Sequence, residues 1–566
     1  MPRVPAEPRR SRAWLDSPDL YSWLRPAAWQ GMGFSPAEFE NRPIIGICNS
    51  WSELTHCNAH LRDLAAAVKR GARAAGGFPL EFPVSSLGEF NLRPTAMLWR
   101  NLMSMDVEEA IRGNPLDGVV LLAGCDKTTP AMLMGAASAD VPAILVTGGP
   151  QLSAHWRGEE LGSCTDCRRY QQELRAGRLT EQDWSDLQAN IIRSPGHCMT
   201  MGTASTMAAV AEALGIALPG NAAIPAADSR RTQLAEEAGR RIVDLAEHDV
   251  RPSHLLTPAA FDNAIRTLHA LGGSANAVIH LIALAGRVGI ELPLKRFDEL
   301  SRDTPCLVNV KPSGRYLMED FFYAGGVPAL LNVLMPLLHG DAPTVTGQTL
   351  GENVRESRCF SSDVIRSLDN PLSAEGGLAV LHGSLAPGGA LIKVTAASPE
   401  LLRHRGRALV FDDHDEMLRR MNDPNLDVRP DDVLVLRNAG PVGGPGMPEW
   451  GFLPLPQKLL REGVRDMVRI SDARMSGTAF GTIVVHVAPE AAVGGPLAAV
   501  RDGDFVELDV PARRLDLCVE EREIQRRLAE RTPRPPRFRR GYGALFERHI
   551  TQADRGCDFD FLRKTD

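Results

Sequence analysis

Three adjacent residues carry a thiol, a carboxylate and an amine: Cys125, Asp126 and Lys127, in the stretch GCDKTTP. They follow the apolar run VVLLA and precede the small-residue run AMLMGAAS. Ionisable groups at the end of a buried strand cost free energy unless they are paired or bound to a metal. Two more cysteines share this setting. Cys57 stands just before a helical pattern that begins near Asn58, and Cys198, in SPGHCMTMGTAST, stands just before another. A helix N-terminus lowers a thiol pKa and favours the thiolate that binds metal. Three such thiolates could converge on one soft-metal centre, an iron–sulfur cluster or zinc, with a position left open for substrate. Three unrelated buried cysteines are the alternative that spacing leaves open.

Other residue types suggest further chemistry. Cys164 and Cys167 form a CxxC in CTDC, a pattern that can bind zinc or do redox work. There is no second CxxC and no aromatic-flanked thioredoxin context, so an incidental pair on a mobile loop is expected. Glu89 lies in the loop SSLGEFNLRPT, Asp126 follows Cys125, and Glu449 lies in the Gly/Pro-rich NAGPVGGPGMPEWG. Loop carboxylates of this kind suit Mg²⁺, which takes one or two of them with water and substrate; each alone reads as a solvated loop acid. The GPVGGPG stretch lacks both the Walker Lys-Ser/Thr and the GxGxxG spacing of nucleotide cradles. Ser476, in SDARMSGTAFGT, is not in a GxSxG elbow and has no histidine beside it, so a hydrolase triad is unsupported.

The elements that must position these groups alternate. Strand patterns cover 43–50, 78–86, 117–124 and 141–149, with helical patterns over 58–77, 94–113 and 130–139 between them. Asn58 is expected to cap the first helix and Pro94 to sit in the first turn of the second. This rhythm implies an α/β fold, a parallel sheet with helices on its faces. Helical patterns over 203–215, 232–248 and 276–289 follow. Near residue 375 the pattern changes to short β runs with Gly/Pro turns, which suggests a barrel- or sandwich-like second domain. The expected division is 1–380, an α/β domain, and 381–566, a β-barrel-like domain flanked by helices.

Composition narrows the class. The 566 residues carry 63 Lys and Arg against 70 Asp and Glu, a net charge of −7 that disfavours nucleic-acid binding. No apolar run approaches membrane-helix length. The Arg/Pro-rich start, MPRVPAEPRRSRAW, lacks the apolar core of a secretory signal, so a disordered start is expected, a short organellar transit peptide being the alternative. Ten cysteines are too few for a disulfide scaffold in so long a chain, and a cytoplasmic protein is expected.

Taken together, GCDKTTPA, GHCMTMGTASTM, GNAAIPAADSRR, ISDARMSGTAFGT and APEAAVGGPL resemble the IlvD/EDD dehydratase family, collinearly over nearly the whole chain. GCDKTTP, rather than the GCDKNMPG of branched-chain enzymes, resembles the sugar-acid (aldonate) subgroup. The resemblance implies a cluster, [2Fe-2S] with [4Fe-4S] assigned in some relatives, held by Cys57, Cys125 and Cys198. It implies Mg²⁺ at Glu89, Asp126, Lys127 and Glu449, with the lysine carbamylated, and Ser476 as base beside Thr478. The implied reaction is loss of water from a 2,3-dihydroxy acid to give a 2-keto-3-deoxy acid, in a homodimer or homotetramer. His56, Cys164, Met199 and Ala275 depart from the family's usual Pro, Gly, Asn and Thr. A phosphorylated substrate would call on Arg93, Arg230 and Arg231; a non-catalytic iron–sulfur redox sensor would need neither Mg²⁺ nor a base.

Overall fold

The computed structural model describes residues 9–564. Four parallel strands, β1 (Ile44–Asn49), β2 (Phe78–Pro83), β3 (Gly118–Ala123) and β4 (Ala143–Thr147), form a sheet in the order β2-β1-β3-β4. β1, β3 and β4 are buried along their length, as continuous Val/Ile/Leu runs require when helices cover both faces. Alternate residues serve alternate faces. Ile45, Ile47, Val120 and Val146 pack with the helices Leu61–Ala74 and Ser229–Glu247. Ile44, Val119, Leu121 and Leu145 pack with Arg100–Arg112 and Thr128–Ala139. The first helix pair meets at two glycines: a Cβ at Gly71 would overlap the Glu236 carbonyl, and one at Gly239 the Val68 carbonyl.

Beyond the sheet, a short hairpin, β5 (Ala154–Trp156) with β6 (Glu159–Leu161), leads into the helix Ser163–Arg175. Helices Thr203–Ala213, Pro258–Ala270 and Asn276–Arg287 fill the middle of the chain. Eight further strands follow: β7 (Leu378–Gly383), β8 (Ala386–Lys393), β9 (Arg403–Phe411), β10 (Val433–Leu436), β11 (Arg469–Ser471), β12 (Ile483–Ala488), β13 (Phe505–Asp509) and β14 (Arg514–Leu517). They close into a barrel in the order β10-β11-β12-β8-β7-β14-β13-β9. Its interior is filled by side chains such as Leu381, Ile392, Val435, Ile470, Val484 and Leu508. The expected α/β fold with a β-barrel-like second part is thus observed. Among the described residues, no helix is long and apolar enough to cross a membrane.

The chain then returns to its first half. Arg100, fully buried, donates to the carbonyls of Gly556 (3.0 Å) and Cys557 (2.6 Å). Arg287 grips Asp558 through two hydrogen bonds of 2.7 and 3.0 Å, with both residues buried.

Several local expectations are corrected. Asn58 is not a helix cap; the helix starts three residues later, and Asn58 Nδ2 donates to Ser50 O (3.1 Å) and Ser86 Oγ (2.9 Å), tying two loops together. Pro94 lies outside the helix it was expected to open. Thr95 caps a 3-10 turn, Ala96–Trp99, and the α-helix begins at Arg100. CTDC is not on a loop: it forms the first turns of Ser163–Arg175. The expected disordered start falls largely on 1–8, outside the described residues; from Arg9 onward it is not met. Arg10 donates to Asn114 O (2.5 Å) and the Ser11 amide to Asp117 (2.8 Å), fixing this segment against the sheet.

Candidate active site

Parallel strands deliver their following loops to one edge of a sheet, where ligands collect. Cys57 lies in the turns after β1, Glu89 after β2, and Cys125, Asp126 and Lys127 directly after β3. Cys198 precedes the helix Thr203–Ala213. The barrel contributes in the same manner: Glu449 comes from the connection after β10, and Ser476 and Thr478 from the one after β11. All of these except Lys127 line one cavity of about 280 Å³, together with Cys164, Arg168, Arg93, His197 and Trp450.

The carboxylates form one wall. Oxygens of Glu89, Asp126 and Glu449 lie within 4.8 Å of one another. Fully buried Lys127 stands behind them, its Nζ 2.5 Å from Asp126, 3.5 Å from Glu89 and 3.7 Å from Glu449. Arg474, also fully buried, reaches Glu449 at 3.3 Å and donates to Thr95 Oγ1 at 2.9 Å; Thr95 in turn donates to Glu89 at 2.6 Å. Burial opposes ionisation of Asp126, but Lys127 and Arg474 outweigh it and hold the carboxyl below its ordinary range. Burial and Glu89 push Glu449 up. Burial and Arg474 work against the Lys127 ammonium, yet the three carboxylates hold its pKa above the usual value. Three convergent oxygens around a trapped cation are the donor set of a hard divalent ion, and the residues fit Mg²⁺. As a carbamate, Lys127 would become a further oxygen donor.

The thiols line the same cavity, and Cys125 Sγ lies 3.6 Å from Asp126 Oδ1. Cys57 and Cys125 are neighbours, and the nearby Cys125, burial and Cys198 push the Cys57 thiol well up. None of the described cysteines is in a disulfide. Nearby, His197 Nε2 and Thr200 Oγ1 are buried without a hydrogen-bond partner. The unpartnered Thr200 hydroxyl is a donor two residues from Cys198, and with three thiols on one cavity it fits a group that presents sulfur acceptors, so these residues fit an iron–sulfur cluster.

Ser476 and Thr478, either side of Gly477 in one turn, line the cavity too. Ser476 Oγ lies 2.9 Å from Thr478 Oγ1. Arg168 Nη1 donates to that same Thr478 oxygen at 2.9 Å. A guanidinium is donor-only, so the Thr478 proton is free to point at Ser476. The turn is fixed from behind. A Cβ at Gly477 would crowd Ser274 Oγ and the Thr203 amide, and Lys393 Nζ, fully enclosed and with its pKa pushed down to about 7 by burial, donates to Gly477 O at 3.4 Å.

Reasoning from sequence missed Arg168, Arg474 and Lys393. Arg474 alone had a local signal, two residues before Ser476. Of the arginines considered for a phosphorylated substrate, only Arg93 lines the cavity. Arg231 is buried on the carbonyls of Thr147 and Asn221, and Arg230 is paired with Asp228.

The chain is similar to known proteins along nearly its whole length. The family model described as dihydroxy-acid/6-phosphogluconate dehydratase N-terminal matches residues 42–353, and its C-terminal counterpart matches 363–557. An L-arabonate dehydratase of Azospirillum brasilense is 56% identical, over 98% of this chain and 96% of the relative. An L-arabinonate dehydratase of Rhizobium leguminosarum bv. trifolii is 54% identical, over 96% and 93%. A 6-deoxy-6-sulfo-D-gluconate dehydratase of Pseudomonas putida is 49% identical, over 98% and 97%.

Proposed function

The chain belongs to the dihydroxy-acid/6-phosphogluconate dehydratase family, and from that premise we propose that it is a hydro-lyase that converts an aldonate such as L-arabinonate to its 2-keto-3-deoxy acid. The observation that carries the reading is the meeting of a thiol wall, a carboxylate wall and a networked serine on one cavity. Cys57, Cys125 and Cys198 would hold a [2Fe-2S] cluster, and Glu89, Asp126, Lys127 and Glu449 would hold Mg²⁺. When bound, the cluster supplies a Lewis acid for the departing C3 hydroxyl and Mg²⁺ neutralises charge developing on the carboxylate and C2 oxygen.

Within this chain, Ser476 is the base that takes the C2 proton. A serine is a poor base in water, and its anion needs donors already aimed at it. The Arg168–Thr478–Ser476 relay supplies one: Arg168 holds the Thr478 oxygen, and the Thr478 proton turns to Ser476. Gly477, Ser274, Thr203 and Lys393 keep the turn from shifting as charge develops. Trp450 and Phe90 line the cavity and limit water around the anion. We take 1–380 as the unit bearing the cluster ligands and most Mg²⁺ ligands and 381–566 as the unit bearing Ser476 and Glu449, in a cytoplasmic homodimer or homotetramer.

The test is anaerobic purification, a visible spectrum, and assay of 2-keto-3-deoxy acid formation from aldonates, branched dihydroxy acids and phosphogluconate with Mg²⁺. A cluster spectrum and preference for an aldonate are expected; a protein with neither sinks the proposal. Ser476→Ala should keep the spectrum and lose about 10²–10⁴-fold in kcat. Retained turnover would refute the base assignment.

A further inference from the structure

The CxxC does not act as a pair. Cys164 and Cys167 sit three residues apart on one helix, but their side chains go to different places. Cys167 packs against the small apolar cluster of Ala154, Trp156 and Tyr170. Cys164 lines the cavity with Cys57, Cys125 and Cys198.

The four cavity thiols fall into two neighbouring couples, Cys57 with Cys125 and Cys164 with Cys198. The second couple is tied together by the backbone. Ser163 Oγ accepts from the Met199 amide at 2.9 Å, linking the residue before Cys164 to the residue after Cys198. Asp166 accepts from the Gly162 amide at 2.6 Å and from Lys311 at 2.8 Å, locking the first turn of the helix. A Cβ at Gly162 would crowd Thr200, so this turn lies against the Cys198 loop. Arg168, one turn on, lines the same cavity, and its Nη1 donates to the Cys164 carbonyl at 3.2 Å. A separate observation points to a ligand there: His197, 1% exposed, lines the cavity with its Nε2 lacking any partner.

We propose that Cys164 is a fourth sulfur ligand, so that the cluster in this protein is held at rest by four thiolates in two couples. The inference rests on the iron–sulfur reading above. Two couples of thiolates are the donor count of an all-cysteine [2Fe-2S] site. Ligation needs no oxidant: each thiol releases its proton to solvent as its sulfur binds, and no electron moves. Three cysteines would leave one position open, whereas the fourth closes it until substrate competes for it. Cys164 is the ligand suited to yield, because it sits on the helix that also carries Arg168 rather than in a loop after a strand.

The test is Mössbauer spectroscopy of the ⁵⁷Fe-loaded full-length protein without substrate, for wild type, Cys164→Ala, Cys164→Ser and Cys167→Ala. Wild type and Cys167→Ala should show both irons in all-sulfur surroundings. In Cys164→Ala and Cys164→Ser, half of the signal should move to that of an iron lacking one sulfur. Two inequivalent irons in wild type, or variant spectra identical to wild type, would overturn the proposal while leaving the dehydratase reading intact. A wild-type protein that takes up no cluster would overturn both. Should Cys164→Ala not fold, the wild-type and Cys164→Ser spectra still decide. As a readout independent of iron, alkylation should spare Cys164 in the loaded protein and label it after the iron is removed; labelling in both states counts against ligation.

Discussion

Arg168 spends a charge on a threonine rather than on a carboxylate, and this sets the direction of every proton in its relay. Removing the middle hydroxyl by Thr478→Val takes away the 2.9 Å donor to Ser476 and leaves only the Thr478 amide at 3.5 Å, while preserving shape. The expected loss is about 10²–10³-fold in kcat, with little change in KM or in the cluster spectrum. Steady-state kinetics on the aldonate panel checks this, and an unchanged kcat would remove Thr478 from the mechanism. At this scale the chemistry-bearing types were legible: Cys57, Cys125 and Cys198 stood before helices, and the carboxylates stood in loops. Arg168 and Cys164 were not, because their partners lie about 310 and 34 residues away and nothing local marks a through-space contact. Lys127 illustrates the same limit, since its neighbours Glu89 and Glu449 come from two other loops.

Helices and strands were read well where packing agrees with local pattern. The buried runs at β1, β3 and β4 became strands because covering helices need apolar residues on both faces. The misreadings were at ends. Asn58 looks like a cap by residue type, but its amide is used to tie the Ser50 and Ser86 loops together. CTDC looks like loop because its residues are small and polar, and the contact that makes it helix, Asp166 with Lys311, is remote. An element-scale prediction concerns the helices Leu61–Ala74 and Ser229–Glu247, which approach closely enough that Gly239 touches the Val68 carbonyl. Gly239→Ala improves intrinsic helix propensity yet forces the pair apart, and should cost about 1–3 kcal/mol of stability by urea denaturation. A neutral or stabilising outcome would show that the pair can slide.

For the whole molecule, the change in pattern near 375 announced a second kind of architecture. A barrel-like second part was legible, but which strands meet was not, because its seams join strands far apart in sequence, β9 with β13 and β8 with β12. The interior also sets the acid response. Burial pushes His269 down to about 4, His486 to about 3 and His280 well below its ordinary value. It pushes Glu212 and Glu490 up to about 7 and Asp472 to about 6. Each histidine withdraws stability as pH falls below about 6.5, since only the unfolded chain takes up its proton there. Each acid adds stability as pH falls from its raised value toward its ordinary one, since only the folded chain is then protonated. His197, likewise pushed down to about 3 by burial, makes four histidines against three acids, so at about 1.4 kcal/mol per pH unit for each group the histidines prevail by about one group between about pH 6 and 4.5. Below that the two glutamates contribute no further and the loss steepens. Denaturation midpoints should therefore decline gently across this window and faster below it; midpoints that stay level down to about pH 4.5 would contradict this account. A second molecule-scale prediction concerns the return of the chain to its first half. Asp558→Ala strips buried Arg287 of its bidentate partner and should cost about 3–5 kcal/mol. Thermal melting checks it, and a shift of under a degree would mean that Glu108, at 3.6 Å, suffices. The same clasp bears on synthesis. When the sheet and its helices leave the ribosome, Arg100 lacks the Gly556 and Cys557 carbonyls and Arg287 has only Glu108 as counter-charge until 556–558 emerges, after the whole barrel. The first half thus gains its last buried partners only after the barrel has been made.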